Sequence, residues 1–187
     1  MVSSPPINKR FSPGQAVFVL GGMIVFVVYA GIFMICLIIQ FVLHWGNLFS
    51  PEQMVKFLVG SVAVAFLNML LWWLFVVIPK SATLKAVPKS AIMRVVLKSP
   101  RIGLATVAGF GCGVFAPDVL ADADVLFGWL VHGYFLDEFG QHTTSWADLC
   151  WSLTTWPIFY AVAFGWFLLP VCILLDRWMV EQVFGKQ

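Results

Sequence analysis

Residues 80–101 read KSATLKAVPKSAIMRVVLKSPR and lie between two long apolar runs. The stretch has no acidic residue, and its six basic residues are Lys80, Lys85, Lys89, Arg94, Lys98 and Arg101. Short basic connections between membrane-length apolar segments face the cytoplasm, according to the positive-inside rule. The stretch therefore predicts on which side of the membrane each other connection lies. No side chain in it identifies a reaction.

The composition is that of a membrane protein. The chain has 187 residues, of which 61% are hydrophobic and 11% charged, and its mean hydropathy is +0.93. These values lie far outside the range of soluble globular proteins. A bilayer span needs about 20 apolar residues, so four spans and their connections account for the whole chain and leave no room for a separate soluble domain.

The apolar runs predict an all-α integral membrane protein, a four-span helical bundle in a bacterial inner membrane with both termini cytoplasmic. Residues 1–15 are polar and rich in Pro and Ser, so we expect a disordered cytoplasmic tail. Residues 16–187 form a single domain with spans at about 16–43, 54–78, 102–120 and 151–175. Ser50, Pro51 and Glu52 have the pattern of a helix start before the second span.

Within the basic connection, residues 89–101 predict an amphipathic helix on the inner leaflet, because basic and apolar side chains project to opposite sides at helical spacing. We expect its polar face to bind anionic lipid or a cytosolic partner. The alternative is a topological anchor that binds nothing in particular, since membrane insertion alone demands positive residues here. The residues of this face are Lys89, Arg94, Lys98 and Arg101.

Two features of the spans predict helix packing. In the third span Ala105, Gly109 and Gly113 recur at intervals of four, and small residues let another helix approach closely in lipid. We expect this helix at the centre of the bundle or at a subunit interface. Asn68 is the amide near the middle of the second span, and it predicts an interhelical hydrogen bond rather than an ion or substrate ligand.

Residues 117–150 predict an acidic outer loop. They contain no Lys or Arg, and residues 125–136 are apolar but too short to cross, so we expect them to lie on the outer leaflet or to fold back. The predicted inner side has ten basic and two acidic residues, and the outer side has one basic and seven acidic residues, which together give the stated net charge of +2. The acids of the loop are Asp118, Asp122, Asp124, Asp137, Glu138 and Asp148.

The sequence predicts no catalytic residue, no cofactor and no metal. The interiors of the four predicted spans contain no Asp, Glu, Lys, Arg or His, which counts against a transporter or an intramembrane protease. His132, Asp137, Glu138 and His142 have the right donors for zinc, but their spacing matches no motif, and a solvated acidic loop is the alternative. His44 and His132 are the corresponding candidates for haem.

The four cysteines lie at different depths, so we expect packing residues rather than disulfides.

These observations favour a non-enzymatic structural or assembly subunit of a larger envelope complex of the secretion, conjugation or respiratory type. Its expected partners are membrane lipids and other membrane subunits, contacted through the small-residue face of the third span, and no nucleic acid. One alternative is a small immunity or exclusion protein that acts through its acidic outer loop. Another is a haem- or metal-dependent membrane enzyme subunit.

Overall fold

The computed structural model describes residues 11–43, 50–78, 100–136 and 142–184. These residues form an all-helical bundle with four helical segments that are each long and apolar enough to cross a membrane. The four-helix prediction is thereby confirmed at the level of secondary structure. In chain order the segments are α1 (Pro13–Leu43), α2 (Pro51–Trp72) with a π-helical turn (Trp73–Val77), α3 (Pro100–His132), and α4 (Trp146–Tyr160) joined by a π-helical turn (Ala161–Gly165) to α5 (Trp166–Phe184).

Three predicted features fall partly or wholly outside the described residues. They are the N-terminal tail up to residue 10, the amphipathic helix at residues 89–99 and the part of the acidic loop at residues 137–141. On either side of that last gap, two short strands pair antiparallel, with Phe135 opposite Thr143 and Leu136 opposite His142. The pair turns the chain back from α3 toward α4.

The start of α2 confirms the predicted helix-start pattern. Ser50 has an extended backbone, and its hydroxyl accepts a hydrogen bond from the backbone N–H of Gln53 at 3.1 Å. Pro51 occupies the first helical position and Glu52 the first turn. Ser50 pairs with one of the free N–H groups at the helix start, and Pro51 has no N–H that would be left unpaired there. The carboxylate of Glu52 interacts favourably with the positive end of the helix dipole.

α3 lies inside the bundle because glycine permits its close approach to α5. A Cβ on Gly109 would lie 2.7 Å from Cα of Ile173, and a Cβ on Gly113 would lie 2.6 Å from Cα of Leu169. Ala105, one turn before Gly109, is fully buried. The small-residue face is therefore covered by a helix of the same chain, and of the two predicted positions it takes the one within the bundle.

α3 does not end near Leu120, and this corrects the predicted boundary. The helix continues through Pro117 to His132, so the expected separate segment on the outer leaflet is instead the last part of α3. Its apolar face packs on α4 in a small cluster of Val125, Leu149, Trp129, Leu153 and Trp156. This cluster gives the extra helical turns an apolar partner within the protein, which a hydropathy pattern alone does not reveal.

The last helical segment is also longer than predicted, running from Trp146 to Phe184 instead of residues 151–175. Pro157 has no backbone N–H, and the π-helical turn Ala161–Gly165 follows it one turn later, as is common where a helix must absorb an irregularity. The buried face of α5 then continues past the predicted end, through residues at helical spacing: Leu168, Cys172, Asp176, Met179 and Val183.

α1 lies at the edge of the bundle. Its other faces are exposed, and Phe18, Phe26 and Phe41 project outward at 79%, 73% and 74% exposure. Apart from Gly21, its buried residues form a narrow stripe at intervals of four, consisting of Ala16, Leu20, Ile24, Val28, Ile32 and Cys36. A helix with one buried stripe contacts its own chain on one side and presents the remainder to the surroundings.

Candidate functional site

Charged side chains connect three helices at one end of the bundle. The Lys56 ammonium of α2 lies 3.1 Å from Glu52 Oε1 on its own helix and 3.5 Å from Asp124 Oδ1 on α3. The Tyr160 hydroxyl of α4 donates a hydrogen bond to Asp124 Oδ2 at 2.7 Å. His132 Nε2 at the end of α3 lies 3.3 Å from Glu52 Oε1. We call these five residues the acidic-end network.

Lys56 is nearly enclosed by the protein. Its side chain is only 13% exposed and lies between the two carboxylates. An ammonium group that loses its water in this way needs carboxylate partners at hydrogen-bonding distance. Asp124, 25% exposed, supplies one from the neighbouring helix. The network therefore ties α2 to α3 and α3 to α4.

The candidate metal ligands are only partly described. His132 is engaged with Glu52, Asp137 and Glu138 lie outside the described residues, and of His142 only the backbone position in the strand pair is described. Over residues 11–43, 50–78, 100–136 and 142–184, no three His, Cys, Asp or Glu side chains gather in a way that would hold a metal ion. His44, the other haem candidate, also lies outside these ranges.

A second polar contact is buried deep in the bundle. Asn68 Nδ2 of α2 donates a hydrogen bond to Asp176 Oδ1 of α5 at 2.8 Å, and both residues are 0% exposed. We call it the Asn68–Asp176 pair. Asn68 thus forms an interhelical hydrogen bond, but its partner was missed because the predicted last span ended at residue 175 and placed Asp176 at the inner surface. The missed signal is the helical spacing of Cys172, Asp176 and Met179, which continues the buried face.

Thiol and indole groups surround this pair. Cys172, one turn before Asp176, places its sulfur 3.7 Å from that of Cys112 on α3, and the Cys112 thiol lies 3.9 Å from the Val64 carbonyl oxygen of α2. Both cysteines are buried and free, and the contacts are weak thiol hydrogen bonds in a packed interior. Trp72, one turn after Asn68, is also fully buried.

Three polar atoms of this region have no hydrogen-bond partner in the described part of the chain. They are Oδ1 of Asn68, Oδ2 of Asp176 and Nε1 of Trp72. Buried polar atoms are satisfied in more than about 90% of cases, so each exception requires an explanation. The pair joins α2 and α5 through one hydrogen bond and leaves one acceptor on each side chain unused.

Two cavities lie on the flanks of the bundle. One, of about 670 Å³, lies between α3 and α4 and is lined by Asp118, Asp122, Thr154 and Pro157 among others. Its two carboxyl groups lie one helical turn apart on α3. The other, of about 210 Å³, is an apolar groove between α1 and α2, lined by Phe18, Gly21, Gly22, Val25, Val62, Ala65, Phe66 and Met69. We call it the α1–α2 groove.

The predicted inner lipid face is described at one residue. Arg101 lies in the first turn of α3, and its guanidinium carbon lies 3.8 Å from the centre of the Phe184 ring at the end of α5. A guanidinium over an aromatic face gains a favourable cation–π interaction. The other members of that face, Lys89, Arg94 and Lys98, lie outside the described residues.

The two sets of polar side chains described above differ in exposure: the acidic-end network is charged and partly exposed, and the Asn68–Asp176 pair is fully buried. Neither brings together a nucleophile, a base and an open cavity in the described residues, the combination on which hydrolytic or transfer chemistry depends. Comparison of the chain with protein-family models, with curated proteins and with solved structures found no match.

Proposed function

We propose that this chain is a non-enzymatic structural or assembly subunit of a larger membrane protein complex, of the secretion, conjugation or respiratory type. One observation carries the proposal. The ionisable and amide side chains of the acidic-end network and of the Asn68–Asp176 pair form contacts from one helix to the next. Such contacts hold a bundle together, whereas catalytic or transport residues line an accessible path.

The proposal includes an orientation. The basic connection at residues 80–101 and the acidic residues of 117–150 support termini in the cytoplasm of a bacterium, with the chain in its inner membrane. Cysteine labelling tests this directly. The four native cysteines, of which Cys150 is exposed, are first replaced by alanine. In this background a cysteine introduced at Ser81 is expected to react only after the membrane is opened, and one introduced at Thr144 is expected to react in intact cells that lack their outer membrane.

The surface for a partner subunit has to differ from the one that the sequence suggested. Gly109 and Gly113 already contact α5, so a second helix has no access to them. The α1–α2 groove offers a small-residue surface on the outside of the bundle instead, because a Cβ on Gly22 would have no atom within 4 Å. Its lining is apolar and belongs to membrane-length helices. We therefore assign it to a transmembrane helix of a partner subunit, which packs closely where small residues permit.

The test is recovery of partners with a matched pair of glycine variants. The tagged chain is extracted from its native membrane with a lipid-retaining polymer, and the co-purifying proteins are quantified for the wild type, Gly22→Leu and Gly14→Leu. Both glycines lie on α1 with open space around them, but only Gly22 lines the groove. We expect Gly22→Leu to lower recovery of a stoichiometric partner at least tenfold and Gly14→Leu to leave it unchanged.

Two outcomes contradict the proposal. Equal recovery with both variants would exclude the α1–α2 groove as the interface. A wild-type chain that is recovered alone would contradict the subunit role itself. If that lone chain also protected cells from a toxin, the immunity alternative would replace it.

A further inference from the structure

Among the described residues, the surroundings of Asp176 provide no positive charge. Of the groups on the helices packed around it, α2 contributes Asn68 and Trp72, and α3 contributes the Cys112 thiol. α1 has no Asp, Glu, Lys, Arg or His in Pro13–Leu43. On α5 itself Cys172 is buried with Asp176, while Arg177 and Glu181 are exposed on the other side of the helix. No Lys or Arg of the described chain forms an ion pair with Asp176.

An ionised carboxylate in this position would be costly. Removing one charge from water into a protein interior costs several kcal/mol even after relaxation, and a buried acid without a cation takes up a proton instead. A membrane span makes the argument stronger, because ionisable side chains there require partners or a function. Asn68 is an uncharged partner and compensates only part of the cost.

A proton on Asp176 would provide a hydrogen bond between the two oxygen atoms of the pair that have no partner among the described residues. A carboxylate only accepts hydrogen bonds, and Oδ1 of an amide only accepts. Asp176 Oδ2 and Asn68 Oδ1 therefore cannot bond to each other while Asp176 is ionised, and both are without a partner in the described part of the chain. A proton on Oδ2 turns that oxygen into a donor to Asn68 Oδ1. With the existing bond of 2.8 Å from Nδ2 to Oδ1, the two planar groups would form an acid–amide ring with two hydrogen bonds.

We propose that the Asn68–Asp176 pair is a proton-binding site, in which Asp176 is held as the neutral acid and its proton bridges to the Asn68 amide oxygen. The carboxylate takes the proton from water as α2 and α5 associate and returns it when they separate. The folded bundle thus binds one more proton than the separated helices, so its stability decreases as the pH rises over the range in which that proton is lost. This inference does not depend on the proposed subunit role.

Infrared spectroscopy of the purified full chain in lipid nanodiscs tests the proposal. A neutral carboxylic acid has a C=O stretching band separate from that of a carboxylate, and the band shifts in D₂O. At neutral pH we expect the wild type to show this band, Asp176→Asn to lose it, and Glu181→Gln to keep it. Glu181 is the matched control, because it is an exposed acid on the same helix. Spectra in sodium and in potassium buffer should be identical.

Each other result overturns the proposal. A wild type whose acid band is no stronger than that of Asp176→Asn would mean that Asp176 is ionised, because any other protonated carboxyl, such as Asp122 with a buried oxygen unpartnered within the described ranges, contributes equally to both spectra. A band that disappears on adding Na⁺ would identify a metal cation as the ligand in place of the proton. If Asp176→Asn does not fold, Asn68→Leu, which retains the acid, is measured instead. The band must then move to higher frequency, since its hydrogen bonds are lost, and an unmoved band contradicts the acid–amide ring.

Discussion

α1 and α3 occupy opposite positions in the bundle, and their hydropathy is the reverse of what a soluble protein would lead one to expect. α1 has the highest mean hydropathy of the four membrane-length segments, yet only 22% of its most apolar stretch is buried. α3 has the lowest, and 50% of its stretch is buried. In water the most apolar helix would be the most buried. Lipid is as apolar as leucine, so burial there follows packing rather than hydrophobicity.

The difference shows what holds each helix in place. α3 is fixed by glycine contacts with α5 and by ion pairs at its far end through Asp124. α1 is held by a stripe of mostly medium-sized apolar residues on one side. A central helix of this kind tolerates few substitutions, and the edge helix tolerates many. The predictions below test that contrast, from the largest expected effect to the smallest.

Gly109→Leu should be the most damaging single substitution. Its Cβ would lie 2.7 Å from Cα of Ile173 and 2.8 Å from the Cys172 carbonyl oxygen, so the backbones of α3 and α5 would have to separate. Overpacking typically costs about 1–3 kcal/mol and occasionally more. With backbone atoms on the opposing side we expect about 3 kcal/mol or loss of folding. Unfolding by SDS from mixed micelles, followed by tryptophan fluorescence, measures it.

The control for Gly109→Leu is Gly22→Leu on α1. A Cβ there has open space, so we expect a change below about 0.5 kcal/mol in the free energy of unfolding, as for other surface substitutions. Equal loss of stability in the two variants would remove the distinction between a central and an edge helix.

Lys56→Met tests the charged contact that holds the far end of α3. Within the described part of the chain, the substitution leaves Asp124 with Tyr160 alone and Glu52 with His132 alone. Removing one member of a buried ion pair costs about 3–5 kcal/mol, and exposed pairs contribute below about 1 kcal/mol. Because Lys56 is nearly buried and Asp124 is partly exposed, we expect about 2 kcal/mol in the same SDS assay.

Glu52→Gln is the comparison for Lys56→Met, since Glu52 is 49% exposed. We expect it to cost below about 1 kcal/mol. If the order of the two variants were reversed, the contacts of Glu52 with Lys56 and His132 would be the important ones, and α3 would not depend on the Lys56–Asp124 ion pair.

The sequence predicted the features that repeat regularly or that carry strong local signals. The described residues contain four membrane-length helical segments where the four apolar runs were predicted. They also contain the Ser50–Pro51–Glu52 helix start and a close helix contact at the small residues of α3. These features depend on local spacing and on the length of a bilayer span, and neither requires knowledge of what another part of the chain does.

The features that were missed all depend on contacts between distant residues. Hydropathy ends a span where polar residues begin, so it ended the third span before Asp122 and the fourth before Asp176. In the structure Asp124 has Lys56 and Tyr160 as partners, and Asp176 has Asn68, 108 positions away in sequence. A polar residue with a partner can continue a helix inside the bundle. Which residues pair in this way cannot be read from one sequence without knowing how the helices are arranged.

Ile24→Ala should have a moderate effect. Ile24 is 0% exposed in the buried stripe of α1. In lipid the substitution loses packing contacts but little transfer free energy, because the side chain leaves one apolar environment for another. We therefore expect about 1 kcal/mol, which is less than the 2–5 kcal/mol typical of such truncations in soluble cores. A loss of about 4 kcal/mol would show that α1 is held as firmly as α3.

Phe26→Ala removes a larger side chain from the same helix and should have the smallest effect. Phe26 is 73% exposed, so lipid fills the space that the ring leaves, and we expect a change below about 0.5 kcal/mol. The smaller truncation at Ile24 then lowers the free energy of unfolding more than the larger truncation at Phe26. This order is explained by which residue points into the bundle and which points away from it. Phe26 does not line the α1–α2 groove, so Phe26→Ala should also leave partner recovery unchanged, in contrast to Gly22→Leu. If Phe26→Ala destabilised the chain more than Ile24→Ala, α1 would pack through the opposite face, and the groove assigned to the partner helix would no longer exist in that form.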